Sequence, residues 1–421
     1  MGRPANPLLN NIVLVVVFAA LVGAAWAGYA ALVVLLGLAL SAGLLAKLWG
    51  LLCLKAVTCE RRLGERRVFP GEEVEMTLRL VNGKLLPLPW IEMRDELPTA
   101  LMPITSLELT ERPGYVSLCQ STPMLWYSAA VFTHQLHCST RGYYTLGPLS
   151  ITSGDIFGLH RRTSAQTETD HLLIYPRIYT LTELGIPSLS HLGDAKSDLR
   201  IFDDPSRLTG VREYSPGDSP RRIHWKASAR RRTLQVKLYE YTTDVKVAVF
   251  LAVDTFADGS PDDLELAIST AASVTRHLLE RNVQTGLFTN SRLADTGRSA
   301  RVAPSRGVDQ LAVILEALAK ATREADGPFI DFFERERIEL GFGGTIALVV
   351  GTVPAALKVT LADLRRTGRR VLVLQLGEQS RESGMTGVQW HHVRRPAAQY
   401  ASPLLARGAT GATPPGEAEV A

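Results

Sequence analysis

The residues of this chain that are best equipped for chemistry lie together between positions 212 and 230, in the run REYSPGDSPRRIHWKASAR. Its arginines present planar forks that suit carboxylates or phosphates, with Glu213 and Asp218 as the nearest acids in sequence, and Trp225 offers a face for arginine stacking. One interpretation is a charge-paired knot that joins two domains, and the other is an exposed basic-aromatic docking site for an acidic partner. We favour the knot, since arginine–carboxylate networks are more often structural than catalytic. The candidate residues are Arg212, Glu213, Tyr214, Gly217, Asp218, Arg222, His224, Trp225, Lys226, Ser228 and Arg230.

An enzymatic interpretation of the same segment rests on His224 and Ser228. Four residues apart on a helix, the two side chains could face each other, which would suit a hydrolase with a serine nucleophile and a histidine base. However, the sequence identifies no orienting acid for His224, and a nucleophilic serine usually sits on a sharp turn flanked by glycines. The hydrolase is therefore kept as an alternative.

A third interpretation is phosphate or nucleic-acid binding by the basic residues of the segment. The segment has one tryptophan and no run of aromatic residues on which bases could stack. A net charge of +4 is also too mild to indicate such a partner by itself, so we expect no nucleic acid. The basic residues concerned are Arg221, Arg222, Lys226, Arg230, Arg231, Arg232 and Lys237.

The first element that must position these residues is a membrane anchor at residues 1–55. Residues 12–54 contain one charge, Lys47, and as a single helix they would be about 64 Å long, whereas the hydrocarbon core of a bilayer is about 30 Å thick. The pattern predicts a transmembrane hairpin of two helices that turns at residues 26–29. Positive residues flank it and the turn has no charge, which predicts that both ends and the soluble domains are cytoplasmic, at the inner (plasma) membrane. The alternative is a cleaved signal peptide, but the apolar core of a signal peptide, about 7–15 residues, is much shorter than this stretch.

Two soluble domains follow the anchor. Residues 56–180 show short alternating runs between turn signals, which predict a β-sandwich. After a polar connecting segment at 181–243, residues 244–395 alternate strands and helices, which predicts an α/β domain with an open, mostly parallel sheet. Residues 396–421 are rich in Ala, Gly, Pro and Thr, which favours a disordered tail. The expected elements of the α/β domain are strands at 245–253, 284–288, 345–350 and 371–376, and helices at 261–281, 308–320 and 354–366.

The cluster at 212–230, continued by Leu234-Gln235-Val236-Lys237 and Glu240, closely resembles the signature of the bacterial domain of unknown function 58 family. Two further runs fit the resemblance, Arg141-Gly142-Tyr143 and Ser153-Gly154-Asp155-Ile156-Phe157-Gly158. The resemblance implies a membrane protein with a von Willebrand factor A-like domain. It also implies association with MoxR-type AAA+ ATPases and transglutaminase-like membrane proteins, in a family for which no enzymatic activity is established.

A second candidate site follows the first strand of the α/β domain, where ligands of open α/β sheets bind. The metal-binding pattern of von Willebrand factor A-like domains, D-x-S-x-S, starts correctly at Asp254, but Phe256 replaces the first serine and removes an oxygen ligand. Asp258 replaces the second serine and could still bind a cation. We therefore expect a metal-free domain without cofactors, in which Asp254 bonds backbone N–H groups at the start of the next helix. Asp254 and Asp258 are the candidate ligands if a metal binds.

The cysteines exclude several classes of site. None of the four cysteines forms a C-x-x-C pair, so zinc and thioredoxin-like redox sites have no support.

Together, these patterns predict a non-enzymatic adaptor or scaffold that is tethered to the lipid bilayer and presents cytoplasmic domains to an ATPase or an envelope-assembly partner.

Overall fold

The computed structural model describes residues 7–101, 107–109, 112–156, 160–166, 169–186, 203–215, 223–241, 246–307, 309–339, 344–366, 369–377 and 388–396. These residues divide into two compact units, of which the first ends at Tyr175 and the second begins at Pro176.

The first unit begins with two apolar helices, α1 (Pro7–Trp26) and α2 (Ala30–Leu52). Gly28 lies between them with a φ of 77°, a left-handed conformation that favours glycine. A Cβ atom on Gly43 would lie 2.7 Å from Leu14, so the missing side chain allows the two helices to pack closely. By length and composition α2 can cross a membrane, whereas the apolar stretch described in α1 is shorter.

The rest of the first unit is a β domain. Strand formation follows from alternation, as in the run EVEMTLRLVN at residues 73–82, where Val74, Met76, Leu78 and Leu80 are buried and their neighbours are more exposed. The strands are β1 (Val57–Leu63), β2 (Arg67–Val68), β3 (Glu73–Asn82), β4 (Leu88–Pro98), β5 (Leu107–Leu109), β6 (Tyr115–Met124), β7 (Ala129–His137), β8 (Gly142–Leu146), β9 (Leu149–Gly154), β10 (Arg161–Gln166) and β11 (Asp170–Ile174).

The described strands of the β domain form three sheets, in the orders β1-β3-β7, β10-β9-β4-β6-β5 and β2-β11-β8. The buried side chains of all three meet in one hydrophobic core. Cys53, just after α2, is fully buried in this core, and Trp49 packs against it. The end of α2 is therefore part of the β domain.

One guanidinium group links the three sheets. Arg61 on β1 forms a two-pronged ion pair with Asp95 on β4, in which Nε lies 2.9 Å from Oδ2 and Nη2 contacts Oδ1. Its Nη1 donates to the Leu146 carbonyl oxygen at 3.1 Å and to Asp170 Oδ2 at 3.3 Å. Both Arg61 and Asp95 are almost inaccessible to solvent. Burial raises the pKa of the Asp95 carboxyl to about 6, although the Arg61 guanidinium opposes this rise.

We expect Arg61→Met to lower the free energy of unfolding by about 3–5 kcal/mol, because it leaves the Asp95 carboxylate uncompensated in the core. The measurement is the thermal unfolding of the full chain in detergent. Arg62→Met is the matched control, since Arg62 is the next residue of β1 and pairs with Glu60 at the exposed surface, where such pairs contribute little. Equal melting of the Arg61→Met and Arg62→Met variants would contradict the structural role of the buried pair.

The pH dependence of stability gives a second readout of Asp95. The pKa of the Asp95 carboxyl is about 6 in the folded state and about 3.9 in the unfolded state. Between these two pH values the folded state therefore binds one proton more than the unfolded state. The stabilisation from this group is therefore fully present below about pH 4 and is lost as the pH rises to about 6. We expect this pH dependence to be absent in Asp95→Asn, as measured by melting between pH 4 and pH 7.

The second unit alternates strands and helices from residue 246 onward, as the sequence predicts. Its elements are β12 (Asp203–Glu213), α3 (Trp225–Arg231), β13 (Gln235–Tyr241), β14 (Lys246–Leu251), α4 (Pro261–Glu280), β15 (Gln284–Thr289), β16 (Ser291–Leu293), β17 (Ala300–Ser305), α5 (Gln310–Lys320), β18 (Ala321–Ala325), α6 (Phe329–Glu339), β19 (Thr345–Val350), α7 (Ala355–Arg366), β20 (Val371–Gln375) and β21 (Gln389–His392).

The described strands of the main sheet have the order β17-β15-β14-β19-β20-β21. All neighbouring strands are parallel except β17, which runs antiparallel at one edge. The central strands are buried almost throughout, as expected for a parallel sheet that is covered on both faces. From β14 the chain first adds β15 on one side and later β19 on the other, so the strand order reverses between β14 and β19.

The structure contains elements of this unit that the sequence analysis did not predict. The connecting segment at 181–243 contains the antiparallel pair β12–β13 and the helix α3, and the other elements that were not predicted are α6, the short pair β16–β18 and the strands β17 and β21. The predicted tail at 396–421 lies outside the described residues from position 397 onward.

Candidate functional site

The strand pair β12–β13 frames the described part of the 212–230 segment. Arg212 pairs with Val236 and Glu213 with Gln235. Beyond the end of β12, the Tyr214 N–H donates to the Leu234 carbonyl oxygen at 2.9 Å, and the His224 N–H donates to the Gln235 carbonyl oxygen at 2.7 Å. The backbone on both sides of residues 216–222 is thus fixed to β13 and to the residue before it, while Gly217, Asp218 and Arg222 lie outside the described residues.

His224 caps the short helix α3. Its Nδ1 accepts a hydrogen bond from the Ala227 N–H at 3.1 Å, which satisfies one of the free amides of the first helical turn. The imidazole is therefore held by the helix that it starts, and it does not lie within the helix as the spacing suggested.

Ser228 joins α3 to β13. Its hydroxyl group donates to the His224 carbonyl oxygen at 3.0 Å and accepts from the Gln235 N–H at 2.8 Å. The residue is buried. The hydroxyl group thus both donates to and accepts from the backbone. This arrangement gives no support to a Ser228 nucleophile activated by His224.

The tryptophan and the charged side chains among the described residues of the segment are exposed. Trp225, the first residue of α3, is 69% exposed. Lys226 and Arg230 on the same helix are also exposed. We call these three residues the α3 face. Arg212 is exposed as well and donates to the Glu213 carbonyl oxygen at 3.1 Å. The predicted charge-paired knot requires Asp218 and Arg222, so it stays a prediction.

The second candidate site lies at the carboxyl end of β14. Asp254 Oδ2 accepts a hydrogen bond from the Phe329 N–H at 2.8 Å, at the first residue of α6, where the helix dipole favours a carboxylate. The sequence analysis expected this kind of bond but with the next helix, which is α4. Among the described residues, the buried Oδ1 atom of Asp254 has no hydrogen-bond partner.

The neighbouring loops are joined through Thr255 and Asn290. The Thr255 hydroxyl donates to the Ala252 carbonyl oxygen at 2.6 Å and accepts from the Gly351 N–H at 3.0 Å. A Cβ atom on Gly351 would lie 2.6 Å from the Thr255 carbonyl oxygen, so this approach requires glycine. Asn290, after β15, accepts from the Val253 N–H at 2.9 Å. The carboxyl ends of β14, β15 and β19 are therefore fixed to one another.

A crevice of about 400 Å³ opens where the strand order reverses. Arg395 lies on its wall and pairs with Asp263 at 2.8 Å. The full lining consists of Thr255, Phe256, Asp258, Gly259, Ser260, Asp263, Gly351, Thr352, Leu376, Gly377 and Arg395.

A metal ion does not fit the described residues at this crevice. Asp258 lies on the lining, but the Asp254 carboxylate is bonded to the amide of α6 and Phe256 is buried where the metal pattern needs a hydroxyl. Within the described ranges, no group of three or more His, Cys, Asp or Glu side chains is close enough to hold an ion. Mg²⁺ needs near-octahedral oxygen coordination, and the other carboxylate on the lining, Asp263, is already paired with Arg395.

Sequence reasoning missed Thr255, Asn290, Gly351 and Arg395. The sequence could have indicated the first three, because each follows a predicted strand and the carboxyl ends of parallel strands meet at one edge of the sheet. Arg395 had no such signal, because nothing in the sequence relates it to Asp263.

Comparison with known proteins agrees with part of the resemblance. Residues 210–331 match the family model described as "Protein of unknown function DUF58"; this range runs from β12 to α6 and contains the 212–230 segment, Asp254 and Asp258, whereas Gly351 and Arg395 of the crevice lie beyond it. An uncharacterized protein of Bacillus subtilis (strain 168), YeaD, is 26% identical over 302 residues, which cover 71% of this chain and 70% of the relative.

Solved structures match over 28% of this chain. A CARDB domain from Pyrococcus furiosus is 11% identical, with 91% of that chain covered and a TM-score of 0.19. A cohesin module from Clostridium perfringens is 16% identical, with 96% of that chain covered and a TM-score of 0.21.

We expect Asp254→Ala to lower the free energy of unfolding of the second unit by about 1–2 kcal/mol, because it removes the acceptor at the start of α6. Asp258→Ala is the matched control and should melt like the unmodified chain, since Asp258 is exposed. Millimolar Mg²⁺ should raise the melting temperature of none of these proteins. A rise that Asp254→Ala abolishes would show that the carboxylate holds a metal.

We also expect Ser228→Ala to lower the stability of this unit by about 1–3 kcal/mol, because it leaves the buried Gln235 N–H without an acceptor. Ser260→Ala is the comparison, since that serine forms a longer, exposed bond of 3.3 Å to the Asp262 N–H. Hydrogen exchange of the Gln235 amide measures the effect directly, and unchanged protection in Ser228→Ala would contradict the assigned role.

Proposed function

We propose that this protein is a non-enzymatic, membrane-anchored adaptor whose cytoplasmic domains bind a protein partner. In this proposal α1 and α2 cross the inner membrane as a hairpin, the β domain is a sandwich, and the second unit carries a von Willebrand factor A-like domain. The partner implied by the resemblance is a MoxR-type AAA+ ATPase, with a transglutaminase-like membrane protein as a further component of an envelope or complex assembly.

The observation that carries the proposal is the contrast within the 212–230 segment. The groups with catalytic potential, His224 and Ser228, are used in backbone hydrogen bonds, whereas Trp225 is 69% exposed beside the exposed Lys226 and Arg230. Tryptophan and arginine are enriched among the residues that dominate binding energy at protein interfaces. The α3 face therefore suits an acidic protein surface.

The strand order supports the proposed domain type. The order β17-β15-β14-β19-β20-β21, with β17 antiparallel at the edge, is a doubly wound arrangement with its crevice at the switch point. The metal pattern of von Willebrand factor A-like domains is incomplete here, which supports partner binding without a metal.

The topology is supported by the distribution of charge. Arg3 precedes α1, and Lys55, Arg61 and Arg62 follow α2, while the turn between the helices is uncharged. Positive residues remain on the cytoplasmic side, so reporter fusions after Lys55 and at the C-terminus should both report a cytoplasmic location. Export of either fusion would contradict the topology.

The binding test uses the full chain in nanodiscs and the MoxR-type ATPase of the same organism. We expect Trp225→Ala to weaken binding at least tenfold, which corresponds to about 1.4 kcal/mol. Arg230→Ala should also weaken binding, and more strongly at low salt. The measurement is a titration by surface plasmon resonance.

Val359→Ala is the matched control, because Val359 is an exposed apolar residue of the same unit, 71% exposed on α7. Equal affinities for the Trp225→Ala and Val359→Ala variants would refute the docking role of the α3 face. Salt-dependent binding of a single-stranded oligonucleotide that requires Lys226 and Arg230 would instead favour the phosphate-binding alternative.

A further inference from the structure

Five large apolar residues in turns of the β domain are exposed to solvent. Leu85 is 73% exposed, Leu125 63%, Trp126 58%, Tyr127 69% and Ile156 63%. We call these five residues the apolar rim. Single exposed apolar residues are ordinary, but a group confined to turns at one end of a domain marks a surface that something covers.

The turn that carries Leu85 lies at the end of α2. The Lys84 ammonium group donates to the carbonyl oxygens of Cys53 at 2.5 Å and Lys55 at 2.8 Å. The Gly83 N–H donates to the Ala56 carbonyl oxygen at 2.9 Å. These bonds hold the turn between β3 and β4 against the residues that directly follow the helix.

The turn that carries Leu125, Trp126 and Tyr127 is joined to the first turn. The Tyr127 N–H donates to the Lys84 carbonyl oxygen at 3.2 Å. The side-chain amide of Asn82 donates to the Leu125 carbonyl oxygen at 2.8 Å. Both turns therefore lie at the end of the β domain where α2 enters it.

Ile156 lies near the same helix through a separate contact. It belongs to the connection between β9 and β10, whose residue His160 packs on α2 so closely that a Cβ atom on Gly50 would lie 2.7 Å from the His160 Cβ. The Asp155 carboxylate accepts a hydrogen bond from the His160 N–H at 2.5 Å, which joins the residue next to Ile156 to His160. Two separate contacts, through Lys84 and through His160, therefore join the parts of the β domain that carry the rim to the end of α2.

The length of α2 determines the depth at which the rim would lie in a bilayer. Its 23 residues are about 35 Å long, slightly more than a hydrocarbon core of about 30 Å. Its last turn is already inside the β domain, since Trp49 packs on the core and Cys53 is buried within it. No linker separates the helix from the domain, so a membrane-spanning α2 would place the rim at the depth of the lipid headgroups.

We propose that the apolar rim inserts into the headgroup region of the leaflet that α2 enters, so that the β domain is bound to the bilayer directly as well as through its helix. The inference rests on the proposed function in one respect, that α2 spans the membrane. Tryptophan and tyrosine are the residues that favour this interfacial depth. The exposed Lys55 and Arg162 near the same end suit anionic headgroups, which identifies lipid as the occupant.

The test measures the depth of spin labels on the full chain in nanodiscs that contain anionic lipid. Nitroxides are attached at Leu85→Cys and Trp126→Cys in a Cys119→Ser background, because Cys53, Cys59 and Cys138 are buried. We expect collisions with lipid-soluble oxygen to exceed those with a water-soluble nickel complex at both positions. Because purified protein and lipid are the only components, no protein partner can cover the rim in this experiment.

Two further labels make each outcome decisive. Phe69→Cys is the matched control, since Phe69 is an exposed aromatic residue beyond the opposite end of β3, about 30 Å from the rim by strand length. Leu38→Cys, in the exposed middle of α2, reports whether the helix spans. Labels at 85 and 126 that are as accessible to nickel as the label at 69, with the label at 38 in lipid, would overturn the rim proposal alone. A label at 38 in water would overturn the membrane anchor and the rim together.

Discussion

The β domain depends on one buried guanidinium group. Arg61 bonds to Asp95 on a second sheet and to Leu146 and Asp170 on the strands of the third, so it fixes the orientation of three sheets whose apolar core alone is non-directional. The cost is the desolvation of two charges, which is visible in the raised pKa of Asp95. Because the sheets cannot slide relative to one another, their turns keep fixed positions, and the turns that carry Leu85 and Trp126 stay beside the end of α2.

A related constraint acts at the carboxyl edge of the α/β sheet, where polar side chains bond to the backbone of neighbouring loops. Asp254 accepts from the first amide of α6, Thr255 joins the loops after β14 and β19, and Asn290 joins those after β14 and β15. These bonds stabilise irregular backbone that would otherwise leave buried N–H groups unpaired. The groups remaining on the crevice include the paired Asp263 and Arg395, an arrangement that suits recognition of a charged surface.

The sequence predicted the elements whose patterns are strong and local. The strand Thr345–Val350 and the helix that begins at Pro261 were found because one is a continuous apolar run after its first residue and the other repeats its apolar residues at helical spacing. The helix α6 was missed because its run FIDFFERERIE mixes aromatic and charged residues and becomes a helix by packing on the sheet. The partner of Asp254 is 75 residues away, and the rim residues are scattered in three turns, so no local pattern could reveal either.

The two exposed tryptophans of the described soluble part illustrate how surroundings distinguish binding surfaces. Trp126 has Leu125 and Tyr127 beside it and lies near the end of an apolar helix, so transfer of this group into a lipid interface removes apolar area from water without burying a charge. Trp225 stands among Lys226 and Arg230, whose charges would be costly to desolvate without acidic partners. The same side chain therefore suits a lipid surface in the first unit and an acidic protein in the second, and the charge of its neighbours decides which.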